Sequence, residues 1–326
     1  LRHSASEALH FIEYGVLGFL LFGALSHRTR DWGIYLAAAL LGAIIGTIDE
    51  AIQWLTPRRY WALADIRLNV TAVLLVQGAI ALGLKPKIIA PGLSAGSLRL
   101  ACQLGVVALL LLGASALNTP QRIAWYSSRL PALAFLQEND GVMLEYGHLY
   151  EDPEIGVFRS RLAPEALQRS DRERAEEGGN ILAQFRDEAR YGEFLELYTP
   201  VSDPFLHEAR VHLFRRDRYI ERAEEARADE ATFRENMTIA FRENRIMEKY
   251  FPGALAASGY AWPPEMRARV EEQARADAFY DSWVSRALVT SVGEREVVWF
   301  FAIAIAGLSA IAWALGPKRG RRRVPG

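Results

Sequence analysis

Ten side chains that can carry charge or form hydrogen bonds recur at the ends of long apolar runs early in the chain. They are His10, Glu13, Tyr14, Asp49, Glu50, Gln53, Arg58, Arg59, Asp65 and Asn69. A polar group at membrane depth is costly, and such groups usually turn toward a partner, a cavity or a site. Guanidinium and amide groups can hold an anionic or hydroxylated headgroup, and a carboxylate beside them can move a proton.

The spacing of these residues places them on shared helix faces. Intervals of three or four residues separate His10 from Glu13 and Tyr14, Asp49 and Glu50 from Gln53, and Asp65 from Asn69. Residues at such intervals are neighbours on a helix surface. The turn 56–59 lies between the second and third groups, so its arginines can return to their carboxylates. We therefore expect the ten residues to converge at one rim of the membrane helices.

Two interpretations of this rim remain open. In the first, Arg58 and Arg59 form a salt-bridged clamp with the carboxylates of Asp49, Glu50 and Asp65, which fixes three helices together. In the second, Glu50 or Asp49 is a general acid/base, and one of the two arginines holds the anionic head of a lipid-linked substrate. Adjacent residues point about 100° apart on a helix, so adjacency alone does not make Asp49 and Glu50 a catalytic pair.

Five apolar stretches are long enough to cross a bilayer, which takes roughly 20 apolar residues per helix. They are residues 9–25, 33–55, 66–84, 100–117 and 297–315. The predicted fold class is mainly α: a polytopic α-helical membrane protein with a helical extracytoplasmic domain. We predict three parts, namely a membrane domain 1–117 with four helices, an acidic domain 118–294, and a C-terminal helix with a basic tail at 295–326.

Charge distinguishes the predicted domains. Residues 118–294 carry 23 Lys and Arg against 32 Asp and Glu, a net charge of −9, and the rest of the chain carries +8. Such an acidic domain excludes nucleic acid as the expected partner, because phosphate contacts need clustered positive charge. Basic residues lie at 28–30, 85–99 and 318–323, on alternate connections. The positive-inside rule places these in the cytoplasm and the acidic domain outside it.

The acidic domain shows helix-start signals and several turn signals. Proline next to a carboxylate at 163–165, 203–204 and 263–265 predicts helix starts. Segments 152–161, 178–180 and 252–264 are predicted as turns or loops. His207 and His212 lie five positions apart, whereas a zinc pair on one helix face prefers four. Capping or packing is therefore the favoured role of both histidines.

Cofactor motifs are lacking in the sequence. It contains no Walker loop, no dinucleotide glycine pattern, no G-x-S-x-G elbow and no C-x-x-C pair. The single cysteine, Cys102, lies inside an apolar stretch and is interpreted as a small buried hydrophobe. We predict that the protein holds no metal and no cofactor.

The rim motifs resemble those of the VanZ-like membrane proteins, whose pattern is roughly H-x3-Y, [DE]-E-x2-Q, P-x-R and D-x3-N. The matching residues are His10 to Tyr14, Asp49 to Gln53, Pro57 to Arg59, and Asp65 with Asn69. The resemblance covers about residues 1–85 and implies a bacterial cell-envelope protein of the cytoplasmic membrane, in a family named for a member associated with teicoplanin resistance. Family members have a further helix before the histidine motif, so we expect residues upstream of Leu1.

Two functions follow from these observations. The first is a VanZ-like envelope protein in the lipid bilayer that binds or acts on a lipid-linked or wall-related ligand at the rim. The alternative is a non-catalytic accessory or scaffold subunit of a larger membrane complex, with protein partners bound through 118–294. The polar rim favours the first function, and the acidic helical domain favours the second.

Overall fold

Two units make up the chain in the computed structural model, which describes residues 2–56, 59, 61–137, 143–275 and 278–316. Unit 1 comprises Leu1–Asn118 and Glu294–Gly326, and unit 2 comprises Thr119–Gly293. Helices dominate both units, and the strands among the described residues form one two-stranded sheet in unit 2. The prediction of a mainly α fold is confirmed.

Unit 1 is built from five long helices, each long and apolar enough to cross a membrane. They are α1 (Arg2–Leu25), α2 (Gly33–Trp54), α3 (Leu63–Gly78, extended by a π-helical segment Ala79–Leu84), α4 (Ala95–Ala116) and, at the end of the chain, α12 (Glu294–Ala314). These helices confirm the membrane character that the five apolar stretches predict. Helix α4 begins earlier than expected, because the Ser94 hydroxyl accepts a hydrogen bond from the Ser97 amide at 3.1 Å.

Small residues set the close approach of these helices. Helix α1 packs against α3, α2 packs against α3 and α4, and α12 packs against α4. A Cβ atom added at Gly42 would lie 2.7 Å from Cγ2 of Val73, so α2 and α3 meet where only glycine fits. Large apolar side chains point outward, with Trp313 at 85% exposure and Ile303 at 68%. An apolar outer face is what a helix presents to lipid.

The carboxylate of Asp31 joins two connections of unit 1. It accepts hydrogen bonds from the Gly33 amide at 2.8 Å, the Ser94 amide at 3.1 Å and the Ser97 hydroxyl at 2.8 Å. It therefore sits at the N-termini of both α2 and α4, where a negative charge is favourable. Burial alone would raise the pKa of Asp31, but the bonds from Ser94, Ser97 and Gly33 outweigh burial and lower it.

Acid is expected to weaken unit 1 through Asp31. A carboxyl group whose pKa is lower in the folded state contributes stability above its unfolded pKa of about 3.9, and this contribution is lost as the pH falls through the folded pKa. Asp31→Asn should therefore lower the thermal midpoint of unit 1 at neutral pH, and the difference from wild type should shrink in acid. Labelling of the buried Cys102 in α4 with a thiol-reactive dye reports this midpoint. Exposed Glu296 is the control, and Glu296→Gln should change nothing.

Unit 2 contains seven α-helices and a hairpin among its described residues. They are α5 (Pro120–Ser127), β1 (His148–Asp152), β2 (Gly156–Ser160), α6 (Pro164–Gln184), α7 (Tyr191–Leu197), α8 (Pro204–Glu225), α9 (Glu230–Tyr250), α10 (Pro252–Ser258) and α11 (Pro264–Gln273), with 3₁₀ turns at Pro131–Gln137 and Glu188–Arg190. Helices α8 and α9 pack together, as do α6 and α10. Fully buried Phe158, Phe205, Leu213 and Phe251 lie in the core between these elements.

The hairpin replaces a predicted turn segment. Residues 152–161 were expected to form turns or loops, and this prediction is wrong because β2 pairs on both sides. Tyr150 lies opposite Phe158 in β1, and the Val157 amide donates to the Tyr280 carbonyl at 2.8 Å on the other edge. Gly156 has φ +108°, and a Cβ there would lie 2.3 Å from the Tyr280 oxygen. The turn therefore requires glycine.

Two further predicted loops are helical. Helix α6 continues through Gly178 and Gly179, because the missing side chains admit α10: a Cβ at Gly179 would lie 2.3 Å from that of Ala257. Helix α10 lies inside the predicted loop 252–264. The Asp171 carboxylate of α6 accepts from the Gly253 amide at 2.8 Å and caps this short helix. Both loop predictions are wrong because these helices depend on contacts between residues far apart in sequence, which a local sequence pattern does not show.

Candidate ligand site at the rim of the membrane helices

The rim cluster is the group of described side chains near the first half of α1, the end of α2 and the start of α3. Its members are His10, Tyr14, Asp49, Glu50, Gln53, Arg59, Trp61 and Asn69. Oδ2 of Asp49 accepts from the Tyr14 hydroxyl at 3.4 Å and from Nε2 of Gln53 at 3.3 Å. The first contact links α1 to α2, and the second follows from the i, i+4 spacing on α2.

Glu50 is fully buried and holds the connection between α2 and α3. Its Oε1 accepts from Nε2 of Gln53 at 3.2 Å, and its Oε2 accepts from the backbone amide of Ala62 at 3.1 Å. Both carboxylate oxygens therefore have a donor. A buried carboxylate that accepts a hydrogen bond from a backbone amide holds that part of the chain in place. Glu50 fixes where α3 begins.

The described arginine of the turn contacts an amide. Nη2 of Arg59 donates to Oε1 of Gln53 at 2.5 Å. Arg59 forms no ion pair with the described carboxylates of Asp49, Glu50 and Asp65. Arg58, which was predicted together with Arg59, lies outside the described residues. Gln53 thus bridges the two carboxylates of α2 to the guanidinium group of the turn. For Arg59, a hydrogen-bonded link takes the place of a salt-bridged clamp.

Buried polar atoms without partners gather in the same cluster. Asn69 is 0% exposed, and neither its Oδ1 nor its Nδ2 has a hydrogen-bond partner among the described residues. The same holds for Nδ1 of His10 and Nε1 of Trp61. Each unsatisfied buried group costs about 1–3 kcal/mol. The rim cluster therefore retains donors and an acceptor that no other described residue uses.

Gly46 brings these groups together. A Cβ added at Gly46 would lie 3.5 Å from Nδ2 of Asn69 and 3.5 Å from Cε1 of Tyr14. The side chains of Asn69 on α3 and Tyr14 on α1 thus both lie close to Gly46 of α2, which has no side chain of its own. The unpartnered amide is next to the ring whose hydroxyl reaches Asp49.

Two predicted site residues do not join the cluster. The side chains of Glu13, which is exposed, and Asp65, which is half-buried, make no hydrogen bond or ion pair with another described residue. Conversely, sequence reasoning overlooked Trp61 and Gly46. An indole beside a polar turn at a helix start is a signal for a buried N–H, and a glycine one turn before Asp49 and Glu50 is a signal for close approach.

A metal site is not formed by the described side chains. Within them, no group of three or more His, Cys, Asp or Glu residues is arranged to hold an ion. His207 and His212, which we weighed as a zinc pair, contact different partners. Nδ1 of His207 lies 2.8 Å from the Tyr198 carbonyl, and Nδ1 of His212 lies 2.6 Å from Oε2 of Glu243.

Glu243 is the centre of a buried ionic network in unit 2. The carboxylate is 0% exposed, pairs with Nε of Arg215 at 3.0 Å and accepts from the Ser282 hydroxyl at 2.8 Å. The hydroxyl of Tyr280 also donates to it. Burial alone would raise the pKa of Glu243, but His212, Tyr280 and Arg215 together outweigh burial and keep it below its ordinary value. The network stabilises the packing of α8 on α9.

Comparison with known proteins adds no relative. No family model, no curated protein and no solved structure matches the chain. The VanZ-like resemblance of residues 1–85 stays a prediction, and the geometry of the rim cluster carries the functional assignment.

Proposed function

We propose that unit 1 binds the polar head of a lipid-linked or wall-related ligand at the rim cluster. The observation that supports this most directly is Asn69, a fully buried amide in a membrane-type helix whose polar atoms have no partner among the described residues. Inside a bilayer, polar side chains usually find each other or mark a site. The indole N–H of Trp61 and Nδ1 of His10 add further hydrogen-bonding groups. A headgroup with hydroxyl or amide groups matches this set.

Binding is supported more strongly than acid–base chemistry. A general acid or base must reach the proton that it transfers, and both oxygens of Glu50 are occupied by Gln53 and the Ala62 amide. Asp49 shares one oxygen between Tyr14 and Gln53. Arg59, exposed beside Gln53, supplies positive charge for an anionic part of the ligand.

The proposal includes a location and an orientation. The resemblance to VanZ-like proteins supports a bacterial cytoplasmic membrane and a role in the cell envelope. The basic residues at 28–30, 85–99 and 318–323 support a cytoplasmic position for those segments. With five membrane helices, unit 2 and the rim cluster then lie on the outer side.

Glu50→Gln tests whether Glu50 holds the fold together or contacts the ligand. A glutamine cannot accept from both Gln53 and the Ala62 amide, because one of its two positions is a donor. We expect a lower Cys102 labelling midpoint, with the ligand still bound to the folded fraction in native mass spectrometry. Glu13→Gln, an exposed control, should leave both unchanged. Loss of the ligand at an unchanged midpoint would contradict this and make Glu50 a ligand-contacting residue.

A scaffold role remains the second candidate, and one observation favours it. Phe279 of unit 2 is 83% exposed, and exposed aromatic residues are enriched at protein interfaces. If unit 2 carries partners, Phe279→Ser should release a stoichiometric protein from the mildly extracted complex. The rim variant Asn69→Leu should leave that protein bound.

A further inference from the structure

A half-buried groove lies along one face of α8 in unit 2. Its volume is about 280 Å³, and its lining residues are Tyr191, Val211, Phe214, Arg215, Arg218, Tyr219, Arg222, Trp283 and Val284. The residues from α8 recur at intervals of three and four, so they form one continuous stripe of that helix. The groove lies outside unit 1 and does not depend on the function proposed for the rim cluster.

The walls of the groove are aromatic. The rings of Tyr191 and Phe214 stack in parallel with centroids 3.8 Å apart. Trp283, on the neighbouring loop, is 64% exposed, and the guanidinium carbon of Arg286 lies 4.4 Å from its ring centroid. Stacked and exposed rings of this kind favour a flat, apolar ligand body. Burial raises the pKa of Tyr191 to about 12.

The groove carries positive charge beyond its internal ion pairs. Arg215 is compensated by Glu243 at 3.0 Å and Arg218 by Glu221 at 2.7 Å. Arg222 forms no ion pair with a described residue, and its guanidinium carbon lies 5.0 Å from the Tyr219 ring centroid. A guanidinium group stacked on a ring keeps its edge N–H groups free for an anion.

A second uncompensated guanidinium group lies behind the aromatic wall. Arg210 is 2% exposed, and its guanidinium carbon lies 4.9 Å from the Tyr191 ring centroid. It donates to the Phe185 carbonyl at 3.1 Å, while its Nε has no partner and no carboxylate pairs with it among the described residues. A buried charge without a counter-charge is costly, and an anion nearby relieves that cost. Two arginines without a described carboxylate partner are notable here, because residues 118–294 carry a net charge of −9.

We propose that this groove binds a small planar anion, a ring that bears a phosphate or carboxylate group. The ring packs against Tyr191, Phe214 and Trp283, and the anionic group meets the guanidinium groups of Arg218 and Arg222. Neither half of this ligand suffices alone. A free anion lacks the stacking surface, and a neutral ring leaves Arg222 without a counter-charge among the described residues.

The test is a titration of the full-length protein in lipid nanodiscs with 4-fluorophenyl phosphate, followed by fluorine NMR. We expect saturable broadening of the fluorine line. Inorganic phosphate and 4-fluorophenol, measured by competition, should each bind at least about tenfold more weakly than 4-fluorophenyl phosphate. Arg218→Gln combined with Arg222→Gln should weaken the binding of 4-fluorophenyl phosphate about tenfold or more, which corresponds to about 1.4 kcal/mol per tenfold change. Trp283→Ser should remove the advantage of the ring over phosphate.

The control removes two other exposed arginines, each of which pairs with a glutamate as Arg218 does. Arg227 and Arg234 lie beyond the groove, near Glu224 and Glu230. Arg227→Gln combined with Arg234→Gln should leave the affinity unchanged. The proposal is overturned if 4-fluorophenyl phosphate shows no saturable binding at millimolar concentration. It is equally overturned if phosphate alone competes as well as the aryl phosphate, or if the control pair weakens binding as much as the groove pair.

Discussion

Asn69→Leu is expected to make unit 1 more stable and unable to hold its ligand. Leucine has nearly the shape of asparagine, so the substitution keeps the packing of this side chain over Gly46. It removes two buried polar atoms that have no partner among the described residues, each of which costs about 1–3 kcal/mol. The midpoint of Cys102 labelling should therefore rise by several degrees, at roughly 2–4 °C per kcal/mol for a domain of this size.

Gln77→Leu provides the matched control on the same helix. Gln77 lies two turns beyond Asn69 on α3 and is 2% exposed; its Oε1 has no partner among the described residues, but its Nε2 donates to the Gly18 carbonyl of α1 at 2.7 Å. Leucine at this position breaks a buried hydrogen bond between two membrane helices, so the midpoint should fall. If Asn69→Leu also lowers the midpoint when both proteins are free of ligand, Asn69 contributes to the fold and the case for a ligand there fails.

Glu243→Ala is expected to unfold much of unit 2. The substitution leaves Arg215 and His212 buried without their acceptor, and breaking a buried ion pair costs about 3–5 kcal/mol. It also removes the acceptor of Tyr280 and Ser282. Hydrogen exchange on the full-length chain should show loss of protection in peptides of α8 and α9. The Cys102 labelling midpoint should stay unchanged, because Cys102 belongs to unit 1.

The control for this change lies on the same helix. Glu230 in the first turn of α9 pairs with Arg234 at 2.9 Å, but its side chain is 78% exposed. An exposed pair contributes about 0–1 kcal/mol, so Glu230→Ala should leave the exchange of α8 and α9 nearly as in wild type. Equal losses of protection in both variants would show that α9 responds to any lost carboxylate rather than to the buried network.

Much of the fold could be predicted from the sequence, because apolar length fixes a membrane helix locally. The five apolar stretches could be recognised without any knowledge of long-range contacts. The hairpin at 148–160 was overlooked because Glu151, Asp152 and Glu154 give it the composition of a loop. It forms because Tyr150 and Phe158 are buried in the unit 2 core and because β2 also pairs with Tyr280, more than a hundred residues away.

Most residues of the candidate site could be predicted from the sequence, but the contacts between them could not. Helical spacing indicated that Asp49, Glu50 and Gln53 share a face. It could not tell that Arg59 would contact Gln53 instead of a carboxylate, since that depends on the path of the turn. The importance of Asn69 was visible only as a polar residue at membrane depth. Its lack of partners is a property of the packed helices.

The ionic network of unit 2 lies beyond prediction for a related reason. His212 and Glu243 are 31 residues apart and meet only because α8 and α9 pack side by side. The groove on α8 depends in the same way on Tyr191 and Trp283, which belong to other elements. A sequence shows the arginines of α8 but not which of them have a carboxylate nearby.

The most direct test of the rim cluster is native mass spectrometry of the full-length protein, extracted mildly from its own membrane. Wild type and Gln77→Leu should each carry one stoichiometric non-protein ligand, and Asn69→Leu should carry none. A ligand retained by Asn69→Leu, or no ligand on wild type, would contradict the assignment of the rim cluster as a binding site.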